Sequence, residues 1–161
     1  MLTVRPAAPA DDPELTRIDA LTWTAEVSPA PPRPEPFLDR TPVGDVLVAD
    51  DGAVVGFVIV GHAPPAVPAH DHVRYIGGLA VHPGHAGRGV GRALVDAAVA
   101  RARDTGGHKV TLRVLGPNTR ARELYRRCGF VEEGVLRAEF VVDGVAVDDV
   151  LMARHLGPRD R

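Results

Sequence analysis

The sequence predicts one α/β domain over residues 1–161, a mixed sheet flanked by helices, and three observations carry that prediction. The chain has 161 residues, 45% hydrophobic and 25% charged, which suits a single compact unit with a sizeable core. Runs rich in β-branched residues stand on both sides of segments whose apolar residues recur at helical spacing. Gly, Pro and Asp-Gly punctuation separates these runs closely, with no internal repeat and no linker. Aromatic residues make up only 4%, so aliphatic packing must dominate the core.

The elements follow in order. "LTVRPA" reads as a short edge strand closed by Pro6. "DDPELTRIDALTW" carries acids and Pro13 in its first turn, then Leu15, Ile18 and Leu21/Thr22 at helical spacing. "SPAPPRPEP" holds five prolines in nine residues and reads as a loop, with a second short helix allowed after it. "DVLVADDGAVVGFVIVGHA" gives two strands turning at Asp51-Gly52. "HDHVRYIGGLAVHP" is another strand, broken by Gly77-Gly78, where a bulge or the close approach of a ligand is expected. A helix from about Arg88 to Asp104 places Val90, Leu94 and Ala98 on one stripe and ends at Gly106-Gly107. "HKVTLRVL" is a strand, and "NTRARELYRRC" a helix capped by Asn118 and closed by Gly129. Two final strands turn at Asp143-Gly144.

Composition excludes several classes of function. A net charge of −2 and a pI near 6.4 argue against nucleic-acid or membrane binding by bulk charge. A single cysteine, Cys128, forbids an internal disulfide and suits a reducing compartment; next to Gly129 it reads as a small buried filler. The N-terminus lacks a basic stretch followed by an apolar one, so a soluble, cytoplasmic protein is expected. Ser28 is the only serine and Lys109 the only lysine, which leaves serine-hydrolase and Schiff-base chemistry almost without candidates. His70 and His72 flank Asp71, but no second cluster completes a site, so no metal is expected.

The most informative stretch is "HPGHAGRGVGRAL", residues 82–94, with glycines at 84, 87, 89 and 91 between a strand and a helix start. Free backbone N–H groups and the positive end of a helix then point the same way, which makes an anion site suited to phosphate. It is not a P-loop, which needs Gly-Lys-Ser/Thr where this chain has Gly91-Arg92-Ala93. Nor is it the dinucleotide fingerprint, because Arg92 stands where the third glycine belongs.

"LAVHPGHAGRGVGRAL" resembles the acetyl-CoA-binding signature of the Gcn5-related N-acetyltransferases. About 30 residues on, Asn118, Ala121, Leu124, Tyr125, Gly129 and Phe130 resemble that family's second signature. The element order is similar over nearly the whole chain. The resemblance implies a mostly antiparallel sheet splayed in its middle and an N-acetyltransferase that uses acetyl-CoA as cosubstrate. It implies that Gly87, Arg88, Gly89, Val90, Gly91 and Arg92 cradle the pyrophosphate, and that Leu79, Ala80 and Val81 meet the pantetheine arm. Asn118 would bond the pantetheine as well as capping its helix, and Tyr125 matches the general acid for the leaving thiol. "DGVAVDDVLMARHL" looks like members that acetylate small amines, amino acids or protein N-termini, so a small-molecule or peptide amine is the expected partner. A homodimer is left open.

Two positions depart from the family pattern. Ala86 replaces a usual Gln or Arg of the first signature, losing a side chain but keeping the amide. Arg113 stands where a glutamate base is often found, and its opposite charge cannot accept a proton. Glu26, His72, Tyr75 and Asp148 are the candidate replacements. Trp23 and the proline loop either wall an acceptor pocket or cover the core. Arg113 also keeps a second class open, a non-catalytic acyl-CoA-binding sensor.

Overall fold

A computed structural model describes residues 1–157 of the protein. The strands are β1 (Thr3–Pro6), β2 (Val46–Asp50), β3 (Val54–His62), β4 (Val73–Val81), β5 (Lys109–Leu115), β6 (Val131–Val142) and β7 (Val145–His155). Helices α1 (Asp12–Thr22) and α2 (Phe37–Arg40) precede β2; α3 (Val90–Asp104) and α4 (Thr119–Arg127) flank β5. The strands form one sheet in the order β1-β2-β3-β4-β5-β7-β6, antiparallel except for the parallel pair β4–β5. The expected mixed, mostly antiparallel α/β architecture is therefore what the chain adopts. No helix among the described residues is long and apolar enough to cross a membrane.

Both faces of the sheet are covered, which is why β2 reads Val-Leu-Val-Ala without polar alternation. Leu47 and Ala49 face α3, where Val90, Leu94, Val95, Ala98 and Ala102 form the apolar stripe. Val46 and Val48 face the other way, onto Leu15, Ile18 and Phe37 of α1 and α2. Leu21 leaves the stripe expected of it and is 52% exposed, because α1 presents only Leu15 and Ile18 to the sheet. Cys128 and Phe130 complete the core beyond α4.

The helix expected from Arg88 starts two residues later, at Val90. Gly87 (φ 74°) and Gly89 (φ 79°) hold the preceding loop in left-handed conformations that no helix propagates through. At the far end of α3 the buried Arg74 donates to Asp71 O at 2.6 Å, to Thr105 Oγ1 at 3.1 Å and to Thr105 O. A cation there also complements the negative end of the helix.

The sheet opens along β4. Val73–Ile76 pair with Lys109–Leu112, but β4 continues to Val81 and β5 to Leu115 without further pairing between them. Gly77 is the residue that starts the divergence. The β3 register steps from Ile59↔Gly78 to Val60↔Ile76, leaving Gly77 as the extra residue of a bulge.

Candidate active site

The N-terminus of α3 is a cluster of unused donors. Among the described residues, the N–H groups of Gly87, Arg88, Gly89, Val90, Gly91 and Arg92 find no backbone or side-chain acceptor; the first bond into the helix is Ala93 N–H to Gly89 O at 3.0 Å. Before the loop, His82 Nδ1 accepts from Gly84 N–H at 3.0 Å and fixes the turn. A Cβ on Gly91 would lie 3.2 Å from Leu124 and 3.9 Å from Val81, so α3 begins directly over the end of β4. Six outward amides at the positive end of a 15-residue helix suit a phosphate.

Beside this loop runs the open edge of β4. Backbone groups alternate sides along a strand, and His82 N–H is spent on Val55 O of β3 at 2.7 Å. Counting back, Ala80 points toward β3, and Leu79 and Val81 point toward the gap where β5 has departed. Their peptide groups are available to an extended ligand that takes the place of a neighbouring strand.

The gap widens into a cleft of about 510 Å³, lined by residues from α1, the proline loop and the splayed strands. Leu79, Ala80, Asn118 and Tyr125 line it; Val81, at the end of β4, and Gly87 to Arg92, around the start of α3, lie beyond its rim. Asn118 Oδ1 accepts Ala121 N–H at 3.2 Å as the cap of α4, which leaves its NH2 group without a partner among the described residues. Tyr125 is buried between α4 and the sheet, its ring edge-on to Phe130. Desolvation pushes its hydroxyl pKa above the ordinary tyrosine range, with smaller contributions from Cys128 and Tyr75. Trp23 and the proline loop do wall the cleft, held together by Trp23 Nε1–H donating to Ala30 O at 2.6 Å.

The candidates for a base fare differently. Tyr75 lines the cleft, but burial raises its pKa, with Arg113 opposing and Asp149 adding to the shift. Glu26 is exposed and outside the cleft lining. His72 sits at the opposite end of β4, its ring 6.4 Å from those of His70 and His108. Asp148 is turned away from the cleft, accepting Ala138 N–H at 2.9 Å. The acids that do line the cleft are Asp19 and Asp148's neighbour Asp149, neither of which the sequence singled out. Arg113 Nε donates to Asp149 Oδ2 at 2.6 Å, and Arg113 Nη2 reaches the same oxygen. Arg113 and Asp149 are diagonal neighbours, since Arg113 pairs with Leu151 and Leu115 with Asp149. The signal was the Asp148-Asp149 pair itself: in a strand, one of two adjacent acids must face each side.

A splayed sheet, free helix-end amides and a cleft beside them make a site suited to a ligand with a phosphate and an extended arm. The chain belongs to the acetyltransferase (GNAT) family, which it matches over residues 13–130. It is 30% identical over 132 residues to the aminoglycoside N(6')-acetyltransferase type 1 of Stenotrophomonas maltophilia, covering 81% of this chain and 86% of that one. It is 49% identical over 57 residues to the mycothiol acetyltransferase of Beutenbergia cavernae, 35% of this chain and 19% of that one. The chain spans less than half the length of most curated relatives it matches. Its fold superposes on the yncA protein of Salmonella typhimurium, solved with its cofactor acetyl-CoA, with a TM-score of 0.84, 23% identity, and 100% and 97% coverage.

Proposed function

We propose that the protein is an N-acetyltransferase that passes the acetyl group of acetyl-CoA directly to a primary amine. The observation that carries this reading is the meeting of two unsatisfied backbone surfaces: the amides of Gly87 to Arg92 and the open edge of β4. The first suits a pyrophosphate and the second an amide-bearing arm, and acetyl-CoA has both at the right ends. Family membership and the acetyl-CoA in the yncA structure support the assignment.

Acetyl-CoA supplies an activated thioester, and the chain's own groups do the rest. The peptide groups of Leu79 and Val81 align the arm, and one of their N–H groups polarises the acyl carbonyl as an oxyanion donor. Ala80 floors the cleft between them, and the NH2 of Asn118 bonds the arm. Tyr125 donates a hydrogen bond to the departing sulfur. Its raised pKa keeps the proton on oxygen, so it stabilises a thiolate of pKa near ~8.5 without fully protonating it. Asp19 and Asp149, the carboxylates lining the cleft, are ion-paired to Arg40 and Arg113. The amine therefore enters as its free base or loses its proton to water.

That absence of an uncommitted carboxylate also favours the second reading, a coenzyme A sensor without turnover. Thiol release from acetyl-CoA over a panel of amines separates the two, since a sensor releases none. Gly89→Leu tests the binding surface. Coenzyme A affinity by calorimetry falls at least tenfold, while stability falls only by the roughly 1 kcal/mol of a side chain at positive φ. Unchanged affinity would place the phosphate elsewhere.

A further inference from the structure

The charges of the cleft select among amines, and this inference rests on the transferase reading above. Five charged side chains line it: Asp19, Arg33, Arg40, Arg113 and Asp149. Arg40 Nη2 holds Asp19 at 2.5 Å and Arg113 holds Asp149, so both acids are neutralised by arginine. Arg33 has no ion pair among the described residues, and the wall carries one surplus positive charge. A polycationic acceptor would bring further ammonium groups to this wall and meet no unpaired acid.

Arg113 offers the complementary site. Its Nε and Nη2 both engage one oxygen of Asp149, and Nη1 has no partner among the described residues. Asp149 is 4% exposed and Arg113 44%, so the carboxylate holds the guanidinium from beneath while its outer edge faces the cleft. An arginine fixed along one edge presents two N–H donors on the other, in the geometry of a carboxylate. Tyr75 stands close to this pair and Tyr125 lines the same cleft, so the anion site and the acyl-transfer site share one space.

We infer that the acceptor is a primary amine that also carries a carboxylate, of the amino-acid class, and that Arg113 is the residue that receives that carboxylate. Asp149 is a positioning residue for Arg113, not a base. Neutral amines and polyamines bind the same cleft less well because they leave the guanidinium edge unanswered.

The test compares kcat/KM for L-α-amino acids, their matched carboxamides and spermidine, in the wild-type protein and in R113M/D149N. Removing both partners avoids stranding a buried charge. The wild-type ratio of acid to carboxamide is expected to be about 30-fold or more, falling to near one in the double variant. Arg113→Lys, which keeps a cation on Asp149, should lower the ratio at least fivefold, because an ammonium lacks the second fork. This second variant decides the matter if the double variant does not fold. A wild-type ratio near one, spermidine as the best acceptor, or a ratio that survives Arg113→Lys overturns the inference. Should no amine release thiol, the transferase reading fails. Calorimetry of the amino acids into the coenzyme A complex then judges the site by itself: binding that depends on Arg113 upholds it, and no binding removes it.

Discussion

The two ends of β4 are built to opposite rules. Val73–Ile76 are paired on both sides, and Arg74 spends its guanidinium on the carbonyls of Asp71 and Thr105. Leu79–Val81 are paired on one side only, and the loop that follows and the first turn of α3 together leave six amides unused. One strand thus carries a region whose backbone is paired on both sides and another whose backbone is left free on one side. Unpaired backbone at a sheet edge is ordinarily a liability. Here Gly77 confines it to the five residues beside the cleft, and the closed end supplies the rigidity that keeps the gap open.

If that division is right, substitutions in the closed end should cost stability and those at the open end should cost turnover. The largest effect is expected at Arg74. Arg74→Met removes a buried charged donor that serves three partners in two segments, Asp71 O, Thr105 O and Thr105 Oγ1, and should destabilise the fold by about 3 kcal/mol, read from chemical denaturation. A loss below about 1 kcal/mol would mean that water replaces the guanidinium, and the closed end would not be as closed as its hydrogen bonds indicate.

Next comes Tyr125→Phe, at the open end. In the proposed mechanism that hydroxyl acts on the leaving sulfur, so kcat should fall about 10²-fold under chemistry-limited conditions with coenzyme A affinity nearly unchanged. An unaltered kcat would reassign Tyr125 to packing against Phe130.

Much of this division was legible in the sequence, and the failures share one cause. Gly77-Gly78 marked the break in β4, and the glycines at 87, 89 and 91 marked the donor loop, because a backbone held open or at positive φ has few other residues to use. Asp149 was missed in favour of Asp148. Which of two adjacent acids faces the cleft depends on how β7 registers against β5, a long-range fact that no local pattern contains. Glu26 and His72 failed for the same reason, since a titratable side chain advertises its chemistry and not its position. Leu21 fitted the helical spacing, yet a short amphipathic helix meets the sheet over fewer turns than its apolar residues span.

A smaller, tenfold-per-unit effect tests the cleft between the two halves. Both of its carboxylates are committed to arginines, so kcat/KM should climb about tenfold per pH unit toward the amine's own pKa, reaching at least pH ~8.5. As the proposed acid, Tyr125 would act while protonated, and burial raises its pKa, so it loses its proton only above the ordinary tyrosine value near ~10. It should add no falling limb below that pH. A profile already flat at pH 6.5 would reveal an efficient base.

The smallest effect separates a break that serves a ligand from one that serves the fold. Strand β6 is also interrupted, its register against β7 shifting between Leu136 and Phe140. Ala138 sits in this interruption at φ 50°, a left-handed conformation that costs a side-chain-bearing residue ~1–2 kcal/mol. Unlike the open edge of β4, this bulge is tied internally, by Ala138 N–H donating to Asp148 Oδ1 at 2.9 Å. Ala138→Gly relieves the strain but loosens the unfolded chain by ~0.5–1 kcal/mol, so a net gain of roughly 0.5 kcal/mol is expected. Coenzyme A affinity and kcat should stay within twofold. A clear loss of either would make the β6 bulge a part of the site, and the contrast between the two interruptions would no longer hold.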